Sequence, residues 1–188
     1  MENCLYYEVQ RINKLLKWFI LLFLGAIPLI SYAILFYLFT FKHNPFFLSK
    51  ETYTFFTTGI IVILISILII ILFSSLKLEI FLNSEGIFFR LFPIQQKFRK
   101  ITFAEVAFFT VRKFNPITEY GGWGIRYSIR GNGVAYTLSG NFGLQIELNN
   151  SRKVLIGTQN PDQILSSLLS LIPSKYISNK TRENNETN

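Results

Sequence analysis

Ile67-Leu68-Ile69-Ile70-Ile71-Leu72-Phe73-Ser74-Ser75-Leu76-Lys77-Leu78-Glu79-Ile80-Phe81-Leu82 contains the change of pattern that decides the fold of this chain. Up to Phe73 the side chains are apolar without a break. From Leu76 aliphatic residues alternate with charged ones. A continuous apolar run suits hydrocarbon, whereas a period of two sets one face of a strand on a core and the other in water. A membrane-type segment therefore ends here and a strand-rich domain begins.

Toward the N-terminus, Ser66 alone interrupts the aliphatic run from Ile60 to Leu72, and residues 55–73 and 18–40 contain no charged side chain. A bilayer core of about 30 Å needs roughly 20 apolar helical residues, so two spans are expected, at 18–40 and 55–75. Residues 1–17 precede them and 41–54 form the loop between them. Arg11, Lys14 and Lys17 stand before the first run as the charges of a signal peptide would. That run is too long for such a peptide and no A-x-A-like site follows, so it reads as a retained anchor. Lys77, Arg90, Lys97, Arg99 and Lys100 follow the second span, while the loop carries Lys42 and Lys50 offset by Glu51. Basic flanks mark the cytoplasmic side, which puts both termini inside and the loop outside an inner (plasma) membrane. Trp18 on one side, and Phe46, Phe47 and Tyr53 on the other, suit the interfacial belts.

Pro28 is expected to kink the first helix, with Ser31 or a neighbouring helix meeting the freed carbonyl. Thr57, Thr58, Gly59 and Ser66 are candidates for a close helix contact, although no GxxxG is present. Neither span contains an ionisable residue, which argues against transport.

The 188 residues carry 19 Lys+Arg against 11 Asp+Glu, a net charge of +8. Beside two spans, that excess points to phospholipid headgroups rather than nucleic acid, for which no recognition motif appears. The single cysteine, Cys4, makes no intrachain disulfide.

After Leu82, Asn83-Ser84-Glu85-Gly86 is a turn and Ile87-Phe88-Phe89-Arg90-Leu91-Phe92 a second strand ended by Pro93. Strands follow at 98–103 and 106–114, then a glycine-rich loop, Tyr120-Gly121-Gly122-Trp123-Gly124. Residues 125–129 and 134–138 flank Arg130-Gly131-Asn132-Gly133 as a hairpin. Further strands run over 144–148 and 153–157. Short turns between short strands imply antiparallel pairing throughout. Asn160 and Pro161 open one helix, with Gln163 at the capping-box spacing. Ile164, Leu165, Leu168, Leu169 and Ile172 form its apolar stripe before Pro173. The expected fold is α+β: antiparallel strands in a curved sheet or open barrel, capped by one C-terminal helix, over residues 76–173. Residues 174–188 read as a disordered tail.

Tyr120-Gly121-Gly122-Trp123-Gly124-Ile125-Arg126, followed by Ala135-Tyr136, Ser139-Gly140-Asn141 and Ile156-Gly157-Thr158-Gln159, resembles a family of small uncharacterised bacterial membrane proteins with a pleckstrin-homology-like (PH-like) domain. The resemblance covers most of 76–172 and YGGWGIR is its most specific part. It implies a PH-like fold and membrane attachment, and it brings no catalytic residue or ligand, since fold does not fix function.

Hydrolytic or metal chemistry finds no foundation. His43, Cys4 and Asp162 are the only residues of their types and fall in three separate elements, with Asp162 suited to complementing a helix dipole. No catalytic residue, metal ligand or cofactor site is expected. Gly122-Trp123-Gly124 lacks the third glycine of a dinucleotide fingerprint and precedes a strand, and Gly131-Asn132-Gly133 is explained by turn geometry. Glycosylation-like triplets at Asn149, Asn179 and Asn185 fall on the cytoplasmic side and have no role there.

Two sets of residues are candidates for recognition. Glu119, Tyr120, Gly121, Gly122, Trp123 and Arg126 form a loop in which Glu119 and Arg126 could pair. Trp123 then either plugs the barrel end, or joins Tyr120 in lining a groove for a peptide or headgroup. Lys97, Arg99, Lys100, Arg112 and Lys113 could touch anionic lipid. The expected function is non-enzymatic interaction or scaffolding at the inner membrane, through a protein partner or a homo-oligomer. The alternatives are an anionic-headgroup sensor on the basic residues and an enzyme with its site near Glu119–Arg126.

Overall fold

In a computed structural model, residues 4–42, 50–128 and 131–177 are described. The loop residues 43–49 with His43, the hairpin residues 129–130 and the tail from 178 lie outside them. The chain divides into two compact units, Ile12–Ser75 and Met1–Arg11 with Leu76–Asn188.

The first unit is helical. α1 (Lys14–Ile20) is capped by the Asn13 side chain, which accepts from Leu15 N at 3.2 Å. A π-helical stretch, Leu21–Ala26, leads into α2 (Ile27–Lys42), and α3 (Lys50–Ser75) returns. Pro28 explains the π turns: it has no N–H for the carbonyl four residues back, and the ladder shifts so that Ile27 N reaches Leu22 O. The Ser31 hydroxyl donates to Pro28 O at 2.9 Å rather than to the freed carbonyl.

The helices meet at small residues. A Cβ on Gly25 would lie 3.2 Å from Ile70 Cδ1, and one on Gly59 only 2.2 Å from Tyr32 Oη. Ser66, two turns beyond Gly59, is also buried. Thr57 and Thr58 instead stay exposed, their hydroxyls donating to backbone carbonyls one turn earlier. Lys17–Leu38 and Phe56–Ser75 are each long and apolar enough to cross a membrane.

The second unit is α+β, with two sheets. β1 (Tyr6–Arg11), β2 (Lys77–Asn83), β3 (Gly86–Phe92) and β4 (Arg99–Thr102) make an antiparallel sheet in sequence order. β1 lies in residues 1–17, expected above only as the cytoplasmic segment before the first span. It pairs along its whole length with β2, from Tyr6↔Leu82 to Arg11↔Lys77. The helical hairpin is thus inserted between two neighbouring strands of the domain. Period-two spacing explains the match: Tyr6, Glu8 and Gln10 are buried while Tyr7 and Arg11 are exposed.

The other sheet has the order β5 (Val106–Lys113), β8 (Phe142–Leu148), β9 (Lys153–Thr158), β7 (Val134–Thr137), β6 (Gly124–Tyr127). The sheets do not close into a barrel: β4 and β5 are consecutive but lie in different sheets. Between them Glu105 binds Thr102, through its N–H at 2.8 Å and its hydroxyl at 2.7 Å, and turns the chain. All pairs are antiparallel except β7–β9, which is parallel. β9 folds back on β8 and enters beside β7, so a short turn between β7 and β8 does not make them neighbours.

Leu78, Ile80 and Leu82 of β2, Ile87, Phe89 and Leu91 of β3, and Leu144, Ile146, Leu155 and Ile156 of the second sheet are buried in the core. Phe89 meets Tyr136 edge-on at 4.8 Å, joining the two sheets. α5 (Pro161–Leu171) buries Ile164 and Leu168. The Asn160 side chain makes no cap hydrogen bond; instead Asn160 N donates to the Thr158 hydroxyl at 3.1 Å.

The start of the expected disordered tail is ordered. Lys175 Nζ donates to Phe103 O and Val106 O at 2.7 and 2.6 Å, and Ile177 N donates to Phe109 O at 3.0 Å, covering the edge of β5.

Arg11 and Lys77 are direct partners, so replacing Ile12 to Leu76 by an Asn-Gly turn is expected to yield a water-soluble, cooperatively unfolding domain. A fragment of residues 76–172, lacking β1, should be much less stable. Near-ultraviolet circular dichroism and thermal unfolding compare the two, and equal stability would refute the role given to β1.

Candidate functional site

The glycine-rich loop begins with α4 (Pro116–Tyr120), where Asn115 Oδ1 accepts from Ile117 N and Thr118 N at 3.1 and 3.2 Å. Gly121, with φ +72°, ends it in the left-handed conformation that glycine tolerates best. Tyr120 is core, packed with Phe114, Ala135 and Leu155. Trp123 is 39% exposed and donates its indole N–H to Gly140 O at 3.2 Å, so it does not plug an interior.

The expected Glu119–Arg126 pair is not made. Glu119 accepts from Arg112 Nη2 and Asn115 N, both at 2.8 Å, while Arg126 Nε donates to Trp123 O at 3.2 Å. Arg126 steadies its own loop, and Glu119 ties α4 to β5.

The five basic candidates separate. Arg112 on β5 bonds Glu119 and the buried Gln145 side chain, at 3.1 Å from Nη2 to Oε1. That position makes it structural. Lys113 is exposed at the end of the same strand, and Lys97 is exposed before β4. Arg99 and Lys100 line a cleft of about 360 Å³ between β4 and the starts of β7 and β9.

Arg152 and Lys153 join them there, and Glu105 is the one carboxylate among the described lining residues. Arg99 Nη1 donates to the Tyr136 hydroxyl at 2.6 Å with its guanidinium over the ring at 5.4 Å. Burial pushes the Tyr136 phenol up in pKa, against the opposing pull of Arg99. Hydrogen bonds from Thr102 hold the Glu105 carboxyl below its usual range, helped by the charges of Arg152 and Lys100.

Arg152 and Lys153 escaped the sequence reading because they lie 52 positions beyond Lys100 at closest, past a turn judged only for its geometry. The detectable signal was the pair of adjacent cations at the foot of a strand, matching Arg99-Lys100 at the foot of another.

A buried polar cluster was also unforeseen. Glu8, 5% exposed, accepts from the Tyr6 hydroxyl, from Thr158 Oγ1 at 2.7 Å, from Gln159 N at 2.7 Å and from Gln10 Nε2 at 3.0 Å. Gln10 Nε2 also reaches Gly157 O at 2.6 Å, and Gln159 Nε2 donates to Ser139 Oγ at 2.8 Å. This network fastens β1 to the end of β9. Burial above all, with the hydrogen bond to Glu8, raises the Tyr6 phenol far above its ordinary value.

On the other face of the first sheet, burial would raise the Glu79 carboxyl. The hydrogen bonds and charges of Arg90 and Lys77 outweigh it and hold the group below its ordinary value.

Among the described residues no group of three or more His, Cys, Asp or Glu is placed to hold a metal. No family model, curated protein or solved structure matches the chain.

Glu8→Gln sets an amide N–H against existing donors, and is expected to lower stability by about 1–3 kcal/mol in denaturant titration. The pH dependence has two limbs. Glu79, depressed in the folded state, stabilises above its ordinary value of 4.5, and that contribution is lost as pH falls through the lower folded value. Tyr6, raised in the folded state, contributes fully below its ordinary value of 10.0 and loses that contribution as pH climbs beyond it. Glu79→Gln should flatten the acid limb and Tyr6→Phe the alkaline one.

Proposed function

We propose that this chain is a non-catalytic interaction module. In this reading a two-span hairpin holds a PH-like domain at the cytoplasmic face of the inner membrane. The observation that carries the reading is the surface of the helices: in the most apolar window of each candidate span only 6% and 11% of residues are buried by the chain itself. Leu64, Leu68, Ile34 and Leu35 are each more than half exposed. Apolar surface on that scale needs a cover, and hydrocarbon supplies one along the whole length of both helices.

Connectivity supports the orientation. The hairpin leaves the domain after Arg11 and re-enters at Lys77, two residues that pair across β1 and β2, so both its ends belong on one side of the bilayer. Arg11, Lys14, Lys17 and Lys77 flank those ends, which favours the cytoplasmic side.

An interaction role is favoured by the placement of ionisable groups in packing, as with Glu8, Glu79 and the Arg112–Glu119 pair. It is favoured too by the outer strand β6, whose Tyr127 is 78% exposed. An outer strand with an exposed aromatic offers a partner both backbone hydrogen bonds and an anchor.

Reporter fusions test the anchoring. Alkaline phosphatase fused after residue 188 is expected to be inactive, and the same enzyme inserted at position 46 active; the reverse pattern overturns the orientation. For the interaction role, a photo-crosslinking amino acid at position 127 should give one defined protein adduct in native membranes. Absence of an adduct there and at positions 124–126 would count against partner binding at β6.

A further inference from the structure

The basic cleft differs from the surroundings of Arg90 and Arg112 in how its charges are answered. Arg90 is neutralised by Glu79 and stacks over Phe98 at 4.2 Å, and Arg112 is neutralised by Glu119. In the cleft, Lys100 pairs with Glu85 at 2.5 Å, and Lys153 sits 3.8 Å from Glu147. The two guanidiniums have no such answer. Arg99 spends one N–H on the neutral Tyr136 hydroxyl, and the Arg152 side chain makes no hydrogen bond or ion pair among the described residues. Glu105, the one acid in the lining, is already held by Thr102.

The backbone builds this convergence. β7 and β9 run parallel with Val134 beside Val154, so their first residues stand together. Gly133, at φ +80°, makes the approach feasible, since a Cβ there would lie 1.8 Å from Lys153 O. The loop 131–133 and the turn 151–153 therefore share one wall, and β4 brings Arg99 and Lys100 to the opening. Like charges held together in a cleft repel one another and concentrate anions from solution.

We propose that this cleft binds a phosphate group carried on a small polar ligand: a phosphate ester, either free in solution or as the headgroup of an anionic phospholipid. Two guanidinium forks suit the oxygens of a phosphate, and with Lys100 and Lys153 already paired to Glu85 and Glu147, Arg99 and Arg152 are the cations left to meet an anion. The cleft, at about 360 Å³, falls within the range of small-molecule sites and has room beyond the phosphate for the esterified group. Tyr136, Val134 and Val154 give that group an apolar floor. The site is independent of the partner surface at β6.

The full-length protein in phosphatidylcholine nanodiscs is titrated with glycerol 3-phosphate and inorganic phosphate. In parallel it is placed in nanodiscs containing phosphatidylglycerol, and amide hydrogen exchange is followed over 99–102 and 149–154. Saturable protection by glycerol 3-phosphate or inorganic phosphate assigns a free ligand, and protection only with phosphatidylglycerol assigns a lipid headgroup; either supports the site. Arg152→Gln, a change at an exposed and unpaired side chain, should weaken the effect about tenfold or more. Lys97→Gln, outside the lining, should leave it unchanged. No protection under any condition, or equal losses from Arg152→Gln and Lys97→Gln, overturns the proposal.

Discussion

The antiparallel pairing of Tyr6–Arg11 with Lys77–Asn83 is the constraint on which the other features of the domain rest. It closes a loop consisting of the entire helical unit, Ile12–Ser75. For a flexible segment of that length, closure would cost about 4 kcal/mol. The helices reduce the cost because they are antiparallel and packed: Gly25 lies against Ile70 and Gly59 against Tyr32, so the two ends of the hairpin are brought back together. An order imposed in one unit thereby lowers the entropy of pairing in the other. The linkage passes through the chain alone and requires no contact between the two units.

What holds β1 in place is not mainly apolar. Of its three inward residues, two are Glu8 and Gln10, and both are buried. Burying a carboxylate is costly unless its acceptor sites are filled, and here four donors from Tyr6, Gln10, Thr158 and Gln159 fill them. Such a network contributes little net stability compared with an apolar strand, but it is intolerant of misplacement. Shifting β1 by one residue would put Glu8 on the outer face and Tyr7 and Val9 inside, leaving Thr158 and Gln159 N–H without an acceptor. The polar interior therefore selects one register for a strand separated from its partner by a long insertion.

Periodicity was enough to read the elements whose partners are close in sequence. The strands from β2 to β9, the closing helix and the two apolar helices are all visible in residues that alternate or run unbroken. β1 was hidden because its inward face, Tyr6, Glu8 and Gln10, looks polar, and a strand buried through hydrogen bonds leaves no hydrophobic signature. The parallel β7–β9 pair was hidden for another reason: nothing in a local turn records which later strand will slip in beside it. The same limit applied to the sites. Tyr120 and Trp123 were legible as a glycine-framed aromatic loop, but whether Glu119 faced Arg126 or Arg112 depended on the β5–β8 pairing. Arg99 and Lys100 were legible as a basic run; their company with Arg152 and Lys153 was a product of topology.

The basic set of 19 Lys+Arg behind the net charge of +8 is thus not one property but several. Part of it flanks the helices, where it bears on orientation. Part is cancelled inside the fold: Arg90 by Glu79 and Arg112 by Glu119, each pair shielded by neighbouring aromatic or strand residues. Cancelled charge attracts no ligand, because its field is closed over a few ångströms. Another part, Arg99, Lys100, Arg152 and Lys153, gathers where β4, the turn after β8 and the start of β9 converge, and two of its members carry guanidiniums with no salt bridge. A fold that pairs the half-buried Arg90 and Arg112 with carboxylates, yet leaves the exposed Arg99 and Arg152 without a salt bridge at one cleft, favours an incoming anion there over a neutral partner.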